Sequence, residues 1–237
     1  GKVMVFDVSD PNAAPTLVAT VATAVGGNAS DIAINEAGTL AFVADNNGGV
    51  QVIDLTDPLQ PARLGKGLSL GAGAIRITVS GNRVLASTSS QEAAQVAVID
   101  ATNPLAMIKV GYISGVFDGA LDTFGDRYAL LPSLALGLIV VDLINPVVPV
   151  IAHTVDTPGG VTSVARVGNR VYLGDTAAIL DIVDLFPTGG AVANNQQTAL
   201  VGGLAGTPAE RNTKRMADLS RLKMTLMELL LKLRLNR

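Results

Sequence analysis

Residues 50–61 read VQVIDLTDPLQP, and their reading decides the fold. An apolar run, rich in valine and isoleucine, ends at Asp54 and is followed by the pair Asp57-Pro58. Branched aliphatic residues favour extended backbone. Proline fixes φ and lacks an N–H, while aspartate accepts backbone N–H groups a residue or two downstream, so the run must end in a turn. The same sentence recurs along the chain. It reads VMVFDVSDPNAAP at 3–15, VAVIDATNP at 96–104, LIVVDLINPVVP at 138–149 and, in worn form, LDIVDLFP at 180–187. Its aspartates are Asp7, Asp54, Asp100, Asp142 and Asp184, spaced 47, 46, 42 and 42 residues apart. A period in the forties marks a repeat architecture.

A second marker keeps the same period. Turns centred on glycine recur as Ala37-Gly38-Thr39, Ser80-Gly81-Asn82, Phe124-Gly125-Asp126 and Val167-Gly168-Asn169, with the glycines 43, 44 and 43 residues apart. Between the markers the pattern predicts four short strands per unit. The first unit reads as 16–24, 31–35, 39–44 and 50–55. The next three read as 63–70, 75–79, 83–87 and 96–100; as 107–113, 120–124, 127–131 and 138–142; and as 148–155, 162–167, 170–173 and 179–185. Residues 3–8 stand before these as a lone strand of the repeated type. Four strands in 40–50 residues is the grammar of a propeller blade. The aspartate-bearing strands are apolar at nearly every position, as in Leu138-Ile139-Val140-Val141, which requires cover on both faces. Blades stacked around a ring supply that cover. The expected fold is therefore all-β, a β-propeller of about four complete four-stranded blades plus terminal strands. The strands at 3–8 and 198–204 both belong to a further blade that lacks its middle, so no conventional closed ring is expected. Three outcomes remain: a four-bladed ring with both ends displaced, two chains sharing a larger ring, or a piece of something longer, with open or shared edges favoured.

The strands IVVDLINP, VIDLTDP and VIDATNP resemble the LVIVD repeat, a bacterial and archaeal β-propeller repeat. The resemblance runs from residue 3 to about 185, with the copy at Asp184 departing from it, because Phe186-Pro187 stands where the others place an acid or amide before proline. It implies a propeller in an exported or cell-surface protein of unassigned role.

Composition narrows the chemistry. Aromatic residues make up 3% of the 237 residues and tryptophan is absent, so the core is aliphatic. With no cysteine there are no disulfides, thiol nucleophiles or cysteine-bound zinc. The net charge of −3 is uneven: residues 208–237 hold eight Lys/Arg and three Asp/Glu, a net of +5, which leaves −8 for the rest. No apolar stretch is long enough to span a bilayer.

The repeated aspartates look like a carboxylate cluster, but one in every blade serves the blade, because a single active site needs one copy that differs. His153 is the single histidine, which excludes two-histidine metal sites, and it reads as a partly covered strand residue. Gly71-Ala72-Gly73-Ala74 lacks the third glycine of a dinucleotide loop and reads as a strand connection. Asp45-Asn46-Asn47-Gly48 lacks the terminal acid of a calcium loop and reads as a hairpin turn. Ser220-Arg221-Leu222-Lys223 is a chance SxxK. No catalytic residue, cofactor or metal ligand is assigned. Asp31, Asp118, Asp122 and Asp156 are the acids best placed for a channel-mouth site.

The chain divides at 204. Residues 205–237 open with Thr207-Pro208-Ala209-Glu210, a helix start, and continue as an amphipathic α-helix of roughly 40 Å. Leu219, Leu222, Leu226, Leu229 and Leu233 form a coiled-coil-like seam. The seam points to a protein partner or a homo-oligomer. Lipid-surface binding is a weaker reading of the basic tail, and nucleic acid is not expected without aromatic stacking groups. The sequence thus favours a non-catalytic structural or interaction module of an exported or cell-surface assembly. The rival is a metal-dependent hydrolase with its site in the central channel.

Overall fold

The computed structural model describes residues 1–24, 26–88, 95–115, 117, 119–177 and 180–185. The chain packs as two units, Gly1–Val183 and Asp184–Arg237. The strands below belong to the first, save the last residue of the final strand. The expected C-terminal helix and its leucine seam lie outside the described residues.

The elements are β1 (Lys2–Asp7), β2 (Thr16–Ala22), β3 (Ala29–Ile34), β4 (Leu40–Asp45), β5 (Gly49–Asp54), β6 (Ala62–Leu68), β7 (Ala74–Ser80), β8 (Arg83–Thr88) and β9 (Gln95–Asp100). They continue with β10 (Ile108–Ser114), β11 (Asp122–Phe124), β12 (Tyr128–Ser133), β13 (Gly137–Asp142), β14 (Val150–Val155), β15 (Val161–Val167), β16 (Arg170–Asp175) and β17 (Asp181–Asp184). All described pairings are antiparallel. Three sheets have four strands, β3-β4-β5-β6, β7-β8-β9-β10 and β11-β12-β13-β14, while β1-β2 has two and β15-β16-β17 has three.

This corrects the phase of the repeat. The strand read as first of each unit closes the sheet of the unit before it: Asp54 pairs with Ala62, Asp100 with Ile108 and Asp142 with Val150. Periodicity fixes the length of a repeat but not where it is cut. The Asp-Pro turn makes the cut here, folding the following strand back as a hairpin onto the strand it ends. The described residues accordingly hold three complete blades rather than four, flanked by the outer half of one sheet and three strands of another.

Strands β3, β7, β11 and β15 are innermost and succeed one another as neighbours. The sheets stack face to face. Phe42, Ala44, Val50 and Val52 of one blade share a core with Ile77, Val84, Ala86, Ala97 and Ile99 of the next. Leu85, Val96 and Val98, from the opposite face of that second blade, share another with Leu131, Ile139 and Val141. Alternate residues of β9 thus face different neighbours, which is why the run is apolar throughout. Burying each Leu, Ile or Val contributes about 1.5–3 kcal/mol. The glycine turns behave as read, with Gly38, Gly81, Gly125 and Gly168 all at positive φ, from 52° to 70°. His153 is a half-buried residue of β14 opposite Val140.

Candidate functional site

The repeated carboxylates are consumed by the fold. Each Asp-Pro sentence builds two successive Asx turns. In the first, the N–H groups of Ser9, Thr56, Thr102 and Ile144 donate to Asp7, Asp54, Asp100 and Asp142 at 2.8–2.9 Å. In the second, Asn12, Leu59, Leu105 and Val147 donate to Asp10, Asp57, Asn103 and Asn145 at 2.9–3.2 Å. The proline after each second acid or amide sets the turn's φ. The fifth copy ends β17 at Asp184, and the residues it would turn into lie outside those described. These turns also lock blades together. Gly111 on an outer strand admits the Pro146 carbonyl of the next blade's turn, where any Cβ would collide with it. Asp142 is tied twice, because Arg127 donates from Nη2 at 2.8 Å. That bond holds its carboxyl below the usual range, with help from the Ile144 N–H and against partial burial.

The best-satisfied carboxylate is Asp45, at the end of β4. It receives the Thr23 hydroxyl at 2.6 Å and the N–H groups of Asn28, Asn47 and Gly48 at 2.9–3.0 Å. Burial works to raise its pKa, but the four donors outweigh burial and lower it. The loop joins β4 to β5 as a hairpin turn, as its sequence implied. Asp175 repeats the arrangement at the end of β16, with the N–H groups of Gly159 and Ala177 donating to it at 3.1 and 2.6 Å. Sequence reading missed this second polar position. Its signal was present: the last residues of β4, β8, β12 and β16 are Asp45, Thr88, Ser133 and Asp175, all small and polar.

Of the acids proposed for a channel mouth, the three described sit on different elements. Asp31 lies on β3 and accepts the Ile77 N–H of the next inner strand at 3.0 Å. Asp122 opens β11 and accepts the Thr123 N–H at 2.7 Å. Burial raises its pKa against the pull of that N–H and of the Arg166 charge and N–H. Both therefore stitch neighbouring inner strands together. Asp156 is exposed in the loop after β14, and Asp118 lies outside the described residues. Among the described residues no three His, Cys, Asp or Glu side chains gather around a cation-sized space. A cleft of about 310 Å³ lies where Gly81, Asn82 and Arg83 face Asp126 and Pro146. Arg83 is already spent there, donating to the carbonyls of Asp126 and, at 3.3 Å, Leu143. The connection its sequence implied at 71–74 spans residues 71–73, with β7 starting at Ala74 and Gly73 pressed against the Asn46 backbone.

This geometry meets an independent comparison. Residues 26–66 match the family model described as the LVIVD repeat. The chain carries the LVIVD repeat. The matched segment nearly coincides with the sheet β3–β6, so the family's unit has the same phase as the observed blade. No curated protein matches the chain. Solved structures do, at the level of fold. A functionally unknown protein from Desulfotomaculum acetoxidans aligns with TM-score 0.61 at 13% identity, over 85% of this chain and 62% of its own. The β-propeller domain of Cps50 (Swd1) from Myceliophteria thermophila aligns with TM-score 0.55 at 13% identity, over 73% and 57%. Sqt1 of Chaetomium thermophilum, solved bound to the N-terminus of ribosomal protein L10, aligns with TM-score 0.56 at 17% identity, over 78% and 53%. The chain spans less than two thirds of each of these structures. It shares their propeller architecture.

Proposed function

We propose that the LVIVD chain is a non-catalytic protein-interaction module of an exported or cell-surface assembly. The observation that carries this reading is the employment of its carboxylates. Asp7, Asp54, Asp100 and Asp142 each hold a backbone N–H of their turn, Asp45 and Asp175 hold hairpins, and Asp31 and Asp122 bridge blades. Acids so engaged supply architecture rather than proton transfer or metal ligation. Sqt1, a similar propeller, is bound to a peptide terminus of another protein, which fits the same use of the fold. Fold alone does not grant function, so the reading stands on the residues. Within it, residues 205–237 are the association element, through Leu219, Leu222, Leu226, Leu229 and Leu233, and the exported location is the expectation that the repeat's resemblance carries.

The test has two arms. Metal analysis and an esterase, lactonase and phosphatase screen are expected to find neither a stoichiometric metal nor turnover. A bound metal or turnover abolished by Asp31→Ala or Asp122→Ala would overturn the reading. In the second arm, Leu226→Asp with Leu229→Asp is expected to lower the mass found by sedimentation, and an unchanged mass removes the helix from the proposal.

A further inference from the structure

The glycine turns of three successive blades differ in length. β7 joins β8 through residues 81–82, and β15 joins β16 through residues 168–169. In the blade between them β11 joins β12 through three residues, 125–127. The middle one, Asp126, reaches the turn of the preceding blade, where the Ser80 hydroxyl donates to its Oδ1 at 2.9 Å. Gly81 makes room for this carboxylate, since a Cβ there would stand 2.9 and 3.0 Å from its two oxygens.

The arginines beside these turns differ as well. Arg127 clamps Asp142. Arg83 lies opposite Asp100 in the strand ladder, but its guanidinium donates across the blade boundary to the carbonyls of Asp126 and Leu143. Asp100 keeps only the donors of its own turn, the Thr102 N–H and hydroxyl, both on Oδ1 at 2.8 and 2.6 Å. Among the described residues, neither Oδ2 of Asp100 nor Oδ2 of Asp126 accepts a hydrogen bond. Both carboxylates line the same cleft of about 310 Å³, between two four-stranded sheets, and Ile99, Val110 and Pro146 supply its apolar wall. Its volume is that of a small-ligand site. Two carboxylates against one guanidinium leave it net negative, and residues 1–207 carry a net −8.

We propose that this cleft receives a lysine side chain of a partner polypeptide. The ammonium donates to the open oxygens of Asp100 and Asp126, and the methylene stem lies along Ile99, Val110 and Pro146. An ammonium carries three donors and no acceptor, so it fits a place where acceptors are left over. A long apolar stem on apolar surface with its charge at the tip is how lysine packs. A bare metal ion would gain nothing from the apolar wall. This deepens the interaction reading above and rests on it. A single site needs one copy that differs, and this one does: Asp54 lies opposite Leu40 with no arginine or second acid, and Asp142 is already paired.

The probe is Nα-acetyl-lysine methylamide, titrated into the full chain and followed by backbone amide chemical shifts. Saturable shifts are expected at Asn82, Asp100, Val110 and Asp126. The norleucine analogue, which keeps the stem and lacks the charge, is expected to cause none. Asp100→Asn and Asp126→Asn keep an acceptor for their turns and remove the charge, and each is expected to weaken binding about threefold or more. Val110→Phe, which fills the cleft and leaves both acids in place, is expected to abolish it. The proposal is overturned if the folded parent shows no saturable shift at these residues, or if the norleucine analogue binds as well. It is also overturned if Asp126→Asn and Val110→Phe, folded by circular dichroism, bind as the parent does. The two analogues on the parent chain decide the matter should a variant fail to fold. Each of these results leaves the metal and turnover screens untouched, so this inference can fail while the non-catalytic reading stands.

Discussion

β1 and β5 read KVMVFD and GVQVID, and both run into an aspartate turn. In β5 five of six residues are buried, including the polar Gln51 at 2% exposure. In β1 none is buried, and Met4, in the place of Gln51, is 57% exposed. The apolar residue faces water and the polar one does not. The motif dictates that a strand forms and where it turns. What that strand buries depends on which blades stand on either side.

The largest effect that could break this comparison is in the core. Ile53→Ala should cost about 2–5 kcal/mol, since Ile53 is fully buried between blades. Phe6→Ala, at the same place in the repeat, should cost less than about 1 kcal/mol, as at other exposed positions. Chemical denaturation of both variants checks this, and equal losses would mean that β1 is as covered as β5. Next is Asp45→Ala, which strips four donors of a charged acceptor and should cost at least about 2 kcal/mol. Asp7→Ala, whose acceptor sits in an exposed turn, should cost clearly less in the same experiment.

The smallest effects are in pH dependence. The carboxyls of Asp45 and Asp142 are lowered in the fold, so what they contribute is fully present above the unfolded value near 3.9 and is lost as pH falls through their folded values. Asp122 is raised, so its ionisation opposes folding, and stability declines as pH climbs from about 3.9 to its folded value. The melting temperature of Asp122→Asn relative to the parent should therefore rise between pH 4 and pH 7. A flat difference would mean that Asp122 is not desolvated. These shifts sharpen the comparison because they belong to acids between or within packed blades.

Much of this was legible in the sequence. The period, the glycine turns, the role of the repeated aspartates and the stacking of apolar strands all follow from local chemistry repeated at fixed intervals. The phase did not follow, because a periodic pattern is silent about which neighbours share a sheet; that was decided by the pairing of Asp54 with Ala62 and its equivalents. The cross-blade bonds of Asp31 to Ile77 and of Thr23 to Asp45 were also hidden, since they join residues 46 and 22 apart through the ring's geometry.

Amide hydrogen exchange, resolved residue by residue in β1 and β5, tests most directly the claim that position rather than motif sets a strand's environment. Amides throughout β5 should exchange slowly, because both edges are paired and both faces covered. In β1 the slow amides should alternate with fast ones, those pointing away from β2. Uniform protection along β1, matching that of β5, would contradict the account.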